Sequence, residues 1–394
     1  MSGVDPAASA DSVAASPPAA PSAPSPLESL LAGLRRAPDV DDTTLVAVDA
    51  ADRHLLDAVA ERVREAPRAR IAVLGDTHGA LTLGLLALGA AQVHVWQDSI
   101  VGREALQGNA GRAALEGFAV HDEAADAVRG ASLVLARLPR ALDALDELSR
   151  IVAREAAPDV VLVAGGMIKH MSLGMNDVLK ASFGRIDVSL ARQKSRLLTA
   201  REPRPGVSLR EPERAHEAEL GLEIVAAPGA FAGASLDIGT RALLAQRHRM
   251  PAWSTAIDLA SGTGVVAALL ARENPAGRVI ATDVSAAAVR STRLTAEANS
   301  VDVEARWADG LDGVPEGTAD LILLNPPFHV GAAVHTGMAR RLFTEAARVL
   351  RPGGELWCVF NSHLKYTPEL ERVIGSTRQV ARDAKFTVTA SRRR

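Results

Sequence analysis

Short apolar runs alternate with amphipathic stretches along most of the chain. Ile71–Leu74, Val93–Trp96, Leu133–Leu135 and Val160–Ala164 read as buried strands, and Leu81–Leu88 between the first two is helical in character. The pattern then repeats. Ala256–Leu259, Val279–Thr282, Leu321–Leu324 and Leu356–Phe360 read as strands, and Val265–Arg272, Ala286–Ala298 and Gly337–Leu350 as helices. Strand starts are spaced by 22, 40 and 27 residues in the first half and by 23, 42 and 35 in the second. Each half closes alike. A helix-like stretch ends at Phe183-Gly184 or Ile374-Gly375, and a strand-like pair follows: Arg185–Ala191 with Ser195–Thr199, and Arg378–Arg382 with Phe386–Thr389. A duplicated α/β unit with mostly parallel strands is predicted. It divides the chain into a tail (1–27), a first domain (28–225) and a second domain (226–394). Arg201–Glu219, rich in Arg, Glu and Pro, is the expected connection.

Composition changes this picture at the N-terminus. Residues 1–26 are mostly Ala, Pro and Ser, with no basic residue and no apolar core. Such a segment buries too little surface to offset its ordering entropy, so a disordered tail is expected. It has the make-up of neither a signal nor a transit peptide, and a cytoplasmic location follows by default. No apolar run approaches the ~18 residues of a membrane span. The single cysteine, Cys358, excludes an internal disulfide and a Cys-based zinc site, and reads as a core thiol. His78 and His170 lack partners at ligand spacing, so no metal is expected. The net charge is −3 in 394 residues, a poor signature for nucleic-acid binding. The halves differ, however: from Phe231 onward 20 Lys and Arg face 16 Asp and Glu, whereas the remainder carries 24 against 31.

The candidate chemistry lies in the second half. Ile257–Val265 joins a strand to a helix through Ala260-Ser-Gly262-Thr-Gly264. Gly262 and Gly264 allow a tight turn and close approach of a ligand. Asp283 ends the next strand, where an acid that holds ribose hydroxyls belongs. Asp258, inside the first strand, favours S-adenosylmethionine over NAD. A dehydrogenase offers a helix N-terminus to pyrophosphate there, whereas adenosylmethionine carries an ammonium and a sulfonium that a carboxylate suits.

Leu324-Asn325-Pro326-Pro327-Phe328 directly follows a strand and looks like the motif of amino methyltransferases. The prolines end the strand and stiffen the loop, holding Asn325 at the carboxyl edge of the sheet. An exocyclic amine on a conjugated base is a poor nucleophile. The Asn325 side-chain oxygen and the Pro326 carbonyl can accept its N–H bonds and aim its lone pair, so catalysis is positioning and electrostatics. Phe328 offers a stacking face for a planar base. Asp309, after the strand-like Val303–Trp307, stands where this fold can take the adenine amino group.

With these motifs the sequence resembles the bacterial ribosomal RNA guanine-N2 methyltransferases over residues 40–394. The matching elements are Leu236-Asp-Ile-Gly-Thr240, the glycine loop, Asn325-Pro-Pro-Phe-His329 and Asn361-Ser-His-Leu-Lys-Tyr366 with Lys385-Phe386. In the first half they are Ala164-Gly-Gly-Met-Ile-Lys-His170 and Leu190-Ala-Arg-Gln-Lys194. The resemblance implies two tandem Rossmann-like class I methyltransferase domains. Each would have a mostly parallel seven-stranded sheet and a C-terminal antiparallel hairpin, the first copy degenerate. It implies methyl transfer from S-adenosylmethionine to the 2-amino group of a guanine in ribosomal RNA or a ribosomal subunit particle, by a monomer. Phe231, Gly239 and Thr240 would lie near the cofactor, and Phe328, His329, His363 and Tyr366 near the substrate base. Asn361–Tyr366 is closer to the large-subunit branch. The family usually has Gly and Cys, or a similar small pair, where Ala260-Ser261 stand. In the first half, Gly75-Asp-Thr-His-Gly79 stands for the glycine loop, Asp98 corresponds only loosely to Asp283, and Arg137-Leu-Pro-Arg140 replaces Asn-Pro-Pro-Phe. That half has no amide to hold an amine. Other readings stay open: methylation of a protein glutamine or of adenine-N6, an adenosylmethionine-binding RNA assembly factor without turnover, and, furthest, a dehydrogenase.

Overall fold

The computed structural model describes residues 25–39, 45–230, 232–326 and 332–394. Helices α1 (Pro26–Gly33) and α2 (Ala50–Glu65) precede β1 (Ile71–Leu74), α3 (Ala80–Ala87), β2 (Val93–Trp96), α4 (Ile100–Ala113) and β3 (Phe118–His121). The first half continues with α5 (Ala124–Val128), β4 (Leu133–Arg137), α6 (Leu142–Glu155), β5 (Val161–Met167), α7 (Gly174–Ser182), β6 (Phe183–Val188) and β7 (Ser195–Pro203). A small hairpin follows, β8 (Glu213–Glu217) and β9 (Leu222–Ala226). The second half opens with α8 (Ile238–Leu244), β10 (Thr255–Leu259), α9 (Val265–Glu273), β11 (Arg278–Asp283), α10 (Ala286–Ala298) and β12 (Glu304–Trp307). It closes with β13 (Ala319–Leu324), α11 (Ala332–Val349), β14 (Leu350–Asn361), α12 (Thr367–Val373), β15 (Thr377–Arg382) and β16 (Phe386–Arg392).

Two seven-stranded sheets result, ordered β3-β2-β1-β4-β5-β7-β6 and β12-β11-β10-β13-β14-β16-β15. Five strands of each are parallel, and the last pair is antiparallel. The chain is thus a tandem α/β protein with one architecture used twice, including the C-terminal hairpin. β1, the leading part of β5 and all of β13 are buried along their length. A parallel sheet covered on both faces needs such unbroken apolar runs, which is why these strands were legible in sequence. In each half the strand order reverses beside the first strand, which leaves a crevice at the carboxyl ends.

Two expectations change. Residues 1–24 of the proposed tail lie outside the described residues. The Ser25 hydroxyl caps α1, accepting from Glu28 N at 3.2 Å, and Leu31 joins the core, so order begins before residue 27. The connection expected over 201–219 is shorter. β7 runs to Pro203, and β9 packs Leu222, Ile224 and Ala226 into the second core, leaving 204–212 between the sheets.

The halves meet through equivalent loops. Ile100 N donates to Val284 O (3.0 Å) and Ala286 N to Asp98 O (2.8 Å), around an antiparallel bridge of Ser99 with Ser285. Arg103 lies over the Trp307 ring, 5.7 Å from its centroid.

Candidate active site

The glycine loop fits its crevice because of three residues with positive φ: Ala260 (61°), Gly262 (54°) and Gly264 (75°). At Gly264 a Cβ would come within 2.7 Å of Thr292 Cα, so only glycine lets α9 start this close to α10. Ala260 holds a left-handed conformation at a cost of roughly 1–2 kcal/mol, where the resemblance would have placed glycine. Asp283 fixes the loop from the next strand: one carboxylate oxygen accepts from Gly262 N (2.9 Å), the other from Ser285 N (2.9 Å). Burial nevertheless raises its pKa. Asp258 accepts from Ala267 N (3.0 Å), and burial pushes its carboxyl up to about 7. The amide that a pyrophosphate would use at this helix start already faces a buried carboxylate, which fits a phosphate-free ligand.

Asn325 leaves β13 at the same edge. Its amide nitrogen donates to Asp237 Oδ2 (2.8 Å) and Thr240 Oγ1 (3.0 Å). A carboxylate only accepts, so Asp237 decides which way the amide faces. The amide oxygen is buried and, among the described residues, has no hydrogen-bond partner. Asp237 also caps α8, accepting from Gly239 N (2.8 Å) and Thr240 N (3.0 Å). A Cβ on Gly239 would lie 3.2 Å from Asn325 Oδ1, so glycine gives the amide its space. Asp237 stood in the quoted Leu236–Thr240 motif but had been given no role; its place just before Ile-Gly-Thr at a helix start was the available sign of a cap.

Asp258, Ala260, Gly262, Thr240, Asp283, Asn325 and Pro326 line one cavity of about 500 Å³, with Asn361 and Lys385 at its edge. The latter two were in the quoted motifs but had been given no role. Asp309 lies in a second cavity of about 290 Å³ that shares Ala260, Asp283 and Val284 with the first. Its carboxylate is already taken: Arg341 grips both oxygens, one at 2.6 Å. Tyr366 is a correction. At the start of α12 it is buried against Phe343 and Phe360, with ring centroids 5.6 and 5.4 Å away, and it lines neither cavity. His363 is exposed and absent from either cavity lining. Phe231, Pro327, Phe328 and His329 lie outside the described residues. Among the described residues no group of three or more His, Cys, Asp or Glu side chains could hold a metal.

In the first half the equivalent loops are tied down by their own side chains. Asp76 accepts from Gly79 N, Leu81 N and Thr82 N at 3.1, 3.3 and 2.7 Å. Arg137, in the place of Asn325, pairs in a fork with Asp49 (2.7 and 2.8 Å) and reaches Asp52 (3.0 Å). Burial pushes Asp52 up to about 7 despite Arg137. Register also corrects the reading of Asp98. Leu74 pairs with Trp96 as Leu259 pairs with Thr282, so Gln97 stands in the place of Asp283 and Asp98 in that of Val284. Arg137→Ala leaves two neighbouring carboxyls without their cation. It should cost about 2–3 kcal/mol in urea unfolding, below the cost for a fully buried pair because the group is partly solvated, with methyl transfer per folded molecule within about twofold.

Comparison with known proteins gives matches in both halves. The family described as "Methyltransferase small domain" matches residues 221–390, and the "RLMG N-terminal domain" matches 26–204. The chain is 36% identical over 372 residues to ribosomal RNA large subunit methyltransferase G of Streptomyces coelicolor, covering 90% of this chain and 96% of that one. It is 35% identical over 365 residues to the protein of the same name from Stutzerimonas stutzeri, covering 91% and 96%. A solved T. thermophilus 16S rRNA N2 guanine methyltransferase, in complex with AdoMet and guanosine, shares the fold. Its TM-score is 0.71 at 23% identity, over 86% of this chain and 92% of that one.

Proposed function

The chain belongs to the ribosomal RNA large subunit methyltransferase G family, and from that premise we propose that it methylates the 2-amino group of a guanine in large-subunit ribosomal RNA. S-adenosylmethionine supplies the electrophilic methyl group when bound. The observation that carries the reading is the unpartnered amide oxygen of Asn325, buried at the rim of a cavity that also holds Asp283 and the glycine loop. Asp237 engages the amide nitrogen, which leaves that oxygen as the acceptor for an N–H of the amine. With its N–H bonds held, the amine presents its lone pair in one direction, which is catalysis by positioning. The Pro326 carbonyl is assigned the second N–H, and Phe328 and His329 the base itself.

Several features fit the cofactor. A side chain at Gly262 would point into open space beside Asp283, so the loop keeps room for a ribose. Asp283 and Asp258 present carboxylates at two points of one cavity, suited to ribose hydroxyls and to an ammonium. Asp258 titrates near 7 in the free protein, whereas an ammonium close by favours its ionised form. Binding therefore releases a proton below that pH, and cofactor affinity should fall about tenfold from pH 7.5 to pH 6. Calorimetry across that range checks this, and Asp258→Asn should flatten the profile.

The reading divides the chain at 204–212 and places a monomer in the cytoplasm. It is supported by the separate cores of the two sheets and by the absence, among the described residues, of a helix long and apolar enough to cross a membrane. The decisive test is transfer of tritiated methyl to unmodified ribosomal RNA, protein-free and in particles, followed by nucleoside analysis. Label in N2-methylguanine supports the proposal. Label in N6-methyladenine or in protein glutamine overturns it.

A further inference from the structure

In the first domain Arg137 stands in the place of Asn325, yet the domain faces the site of the second. The smaller cavity is walled on one side by Ala260, Val284 and Asp309 and on the other by Thr77 of the vestigial loop and by Val101 and Gly102 at the start of α4. The bonds between the halves fall on the turn that carries Asp283. A helix start leaves its first amides without partners inside the helix. At α10 two of them are met from the other domain: Ala286 N by the Asp98 carbonyl (2.8 Å) and Ala287 N by Asp98 Oδ1 (2.9 Å). Ser285 Oγ takes Ala288 N (3.2 Å), and Asp283 takes Ser285 N (2.9 Å). Asp98, Asp283 and Ser285 also line the larger cavity together.

We infer that the first domain completes the cofactor site, with Asp98 as a positioning residue that fixes the Asp283–Ser285 turn and Val101 as part of the wall that encloses the adenine end. This rests on the methyl-transfer reading above and extends it: the domain that carries Arg137 in place of Asn325 sets the affinity for the adenosine half of the cofactor. Asp98 acts through the α10 amides, so its effect lies on binding and not on the reacting amine. An asparagine at this position keeps an oxygen that can accept from Ala287 N, and removes a negative charge that disfavours ionisation of Asp283.

The test is calorimetric titration of the full chain with S-adenosylmethionine and with S-adenosylhomocysteine, beside thermal melts and steady-state kinetics. Asp98→Ala should raise both Kd values by about five- to tenfold, the loss expected of a helix cap coupled to binding, with kcat at saturating cofactor within about twofold. Asp98→Asn should restore affinity to within about twofold of the unsubstituted protein. Val101→Trp, which fills the cavity from the first domain's side, should raise Kd by about tenfold or more without touching Asp98. A lowered melting temperature with unchanged Kd in Asp98→Ala, or full affinity in Val101→Trp, overturns the inference and leaves the methyl-transfer reading standing. Failure of the unsubstituted chain to bind either compound overturns both.

Discussion

Replacing Asn325 with alanine should lower kcat for methyl transfer by about a hundred- to a thousandfold, the range seen when a preorganised polar group is removed from a reacting centre. The Kd for S-adenosylmethionine should stay within about threefold, because the cofactor is held from Asp283 and the glycine loop. The geometry gives the reason. Two bonds fix the amide nitrogen, and among the described residues the amide oxygen has nothing to accept. A buried acceptor without a partner is costly unless a ligand supplies one. Asp237→Ala leaves Asn325 in place but frees its amide to rotate, and should show a smaller loss of the same kind. Retention of activity within a fewfold by Asn325→Ala, measured by single-turnover transfer, would refute the amine-holding role.

Asp283→Ala should act on the other half of the reaction. Its carboxylate fixes Gly262 N and Ser285 N and keeps lone pairs for two ribose hydroxyls. Bonds to a charged acceptor contribute about 1.5–3 kcal/mol each, so losing the two should raise Kd for S-adenosylmethionine by about a hundredfold or more. Turnover at saturating cofactor should fall far less. Calorimetry decides the matter, and an unchanged affinity would remove Asp283 from the site.

Most strands and the three loops at the sheet edge were legible in sequence because each is a local pattern: an apolar run, a pair of glycines, two prolines after a strand; β3, β8 and β9 were not among the expected elements. β10, β11 and β13 begin and end within two residues of their expected limits. What was not legible depends on long-range pairing. Asp98 looked like a loose counterpart of Asp283, but strand register moves it one position along, and such a step changes the direction of a side chain. Tyr366 sits in a motif that suggests substrate contact, yet its ring completes a cluster with Phe343 and Phe360, residues from other elements. The Asp309–Arg341 pair joins a loop to a helix 32 residues later, and nothing local announces it. Asp237 reads as a helix cap locally; only the fold brings it to Asn325.

The side chains that tie down the loops of the first crevice have a consequence for how the two halves respond to cell metabolism. Asp76 on the amides of α3 and Arg137 between Asp49 and Asp52 act as a tethered ligand, present at unit occupancy whatever the surroundings. Binding stabilises a folded state in proportion to the logarithm of free ligand, so the second half gains or loses stability as the methyl donor rises or falls. The first half feels that variation only through its contacts with the second, at Asp98 and its neighbours. Through Asp98 and its neighbours, a donor-independent platform stands beside the donor-dependent site, and the loops that bind cofactor have a fixed surface to fold against even when the donor is scarce.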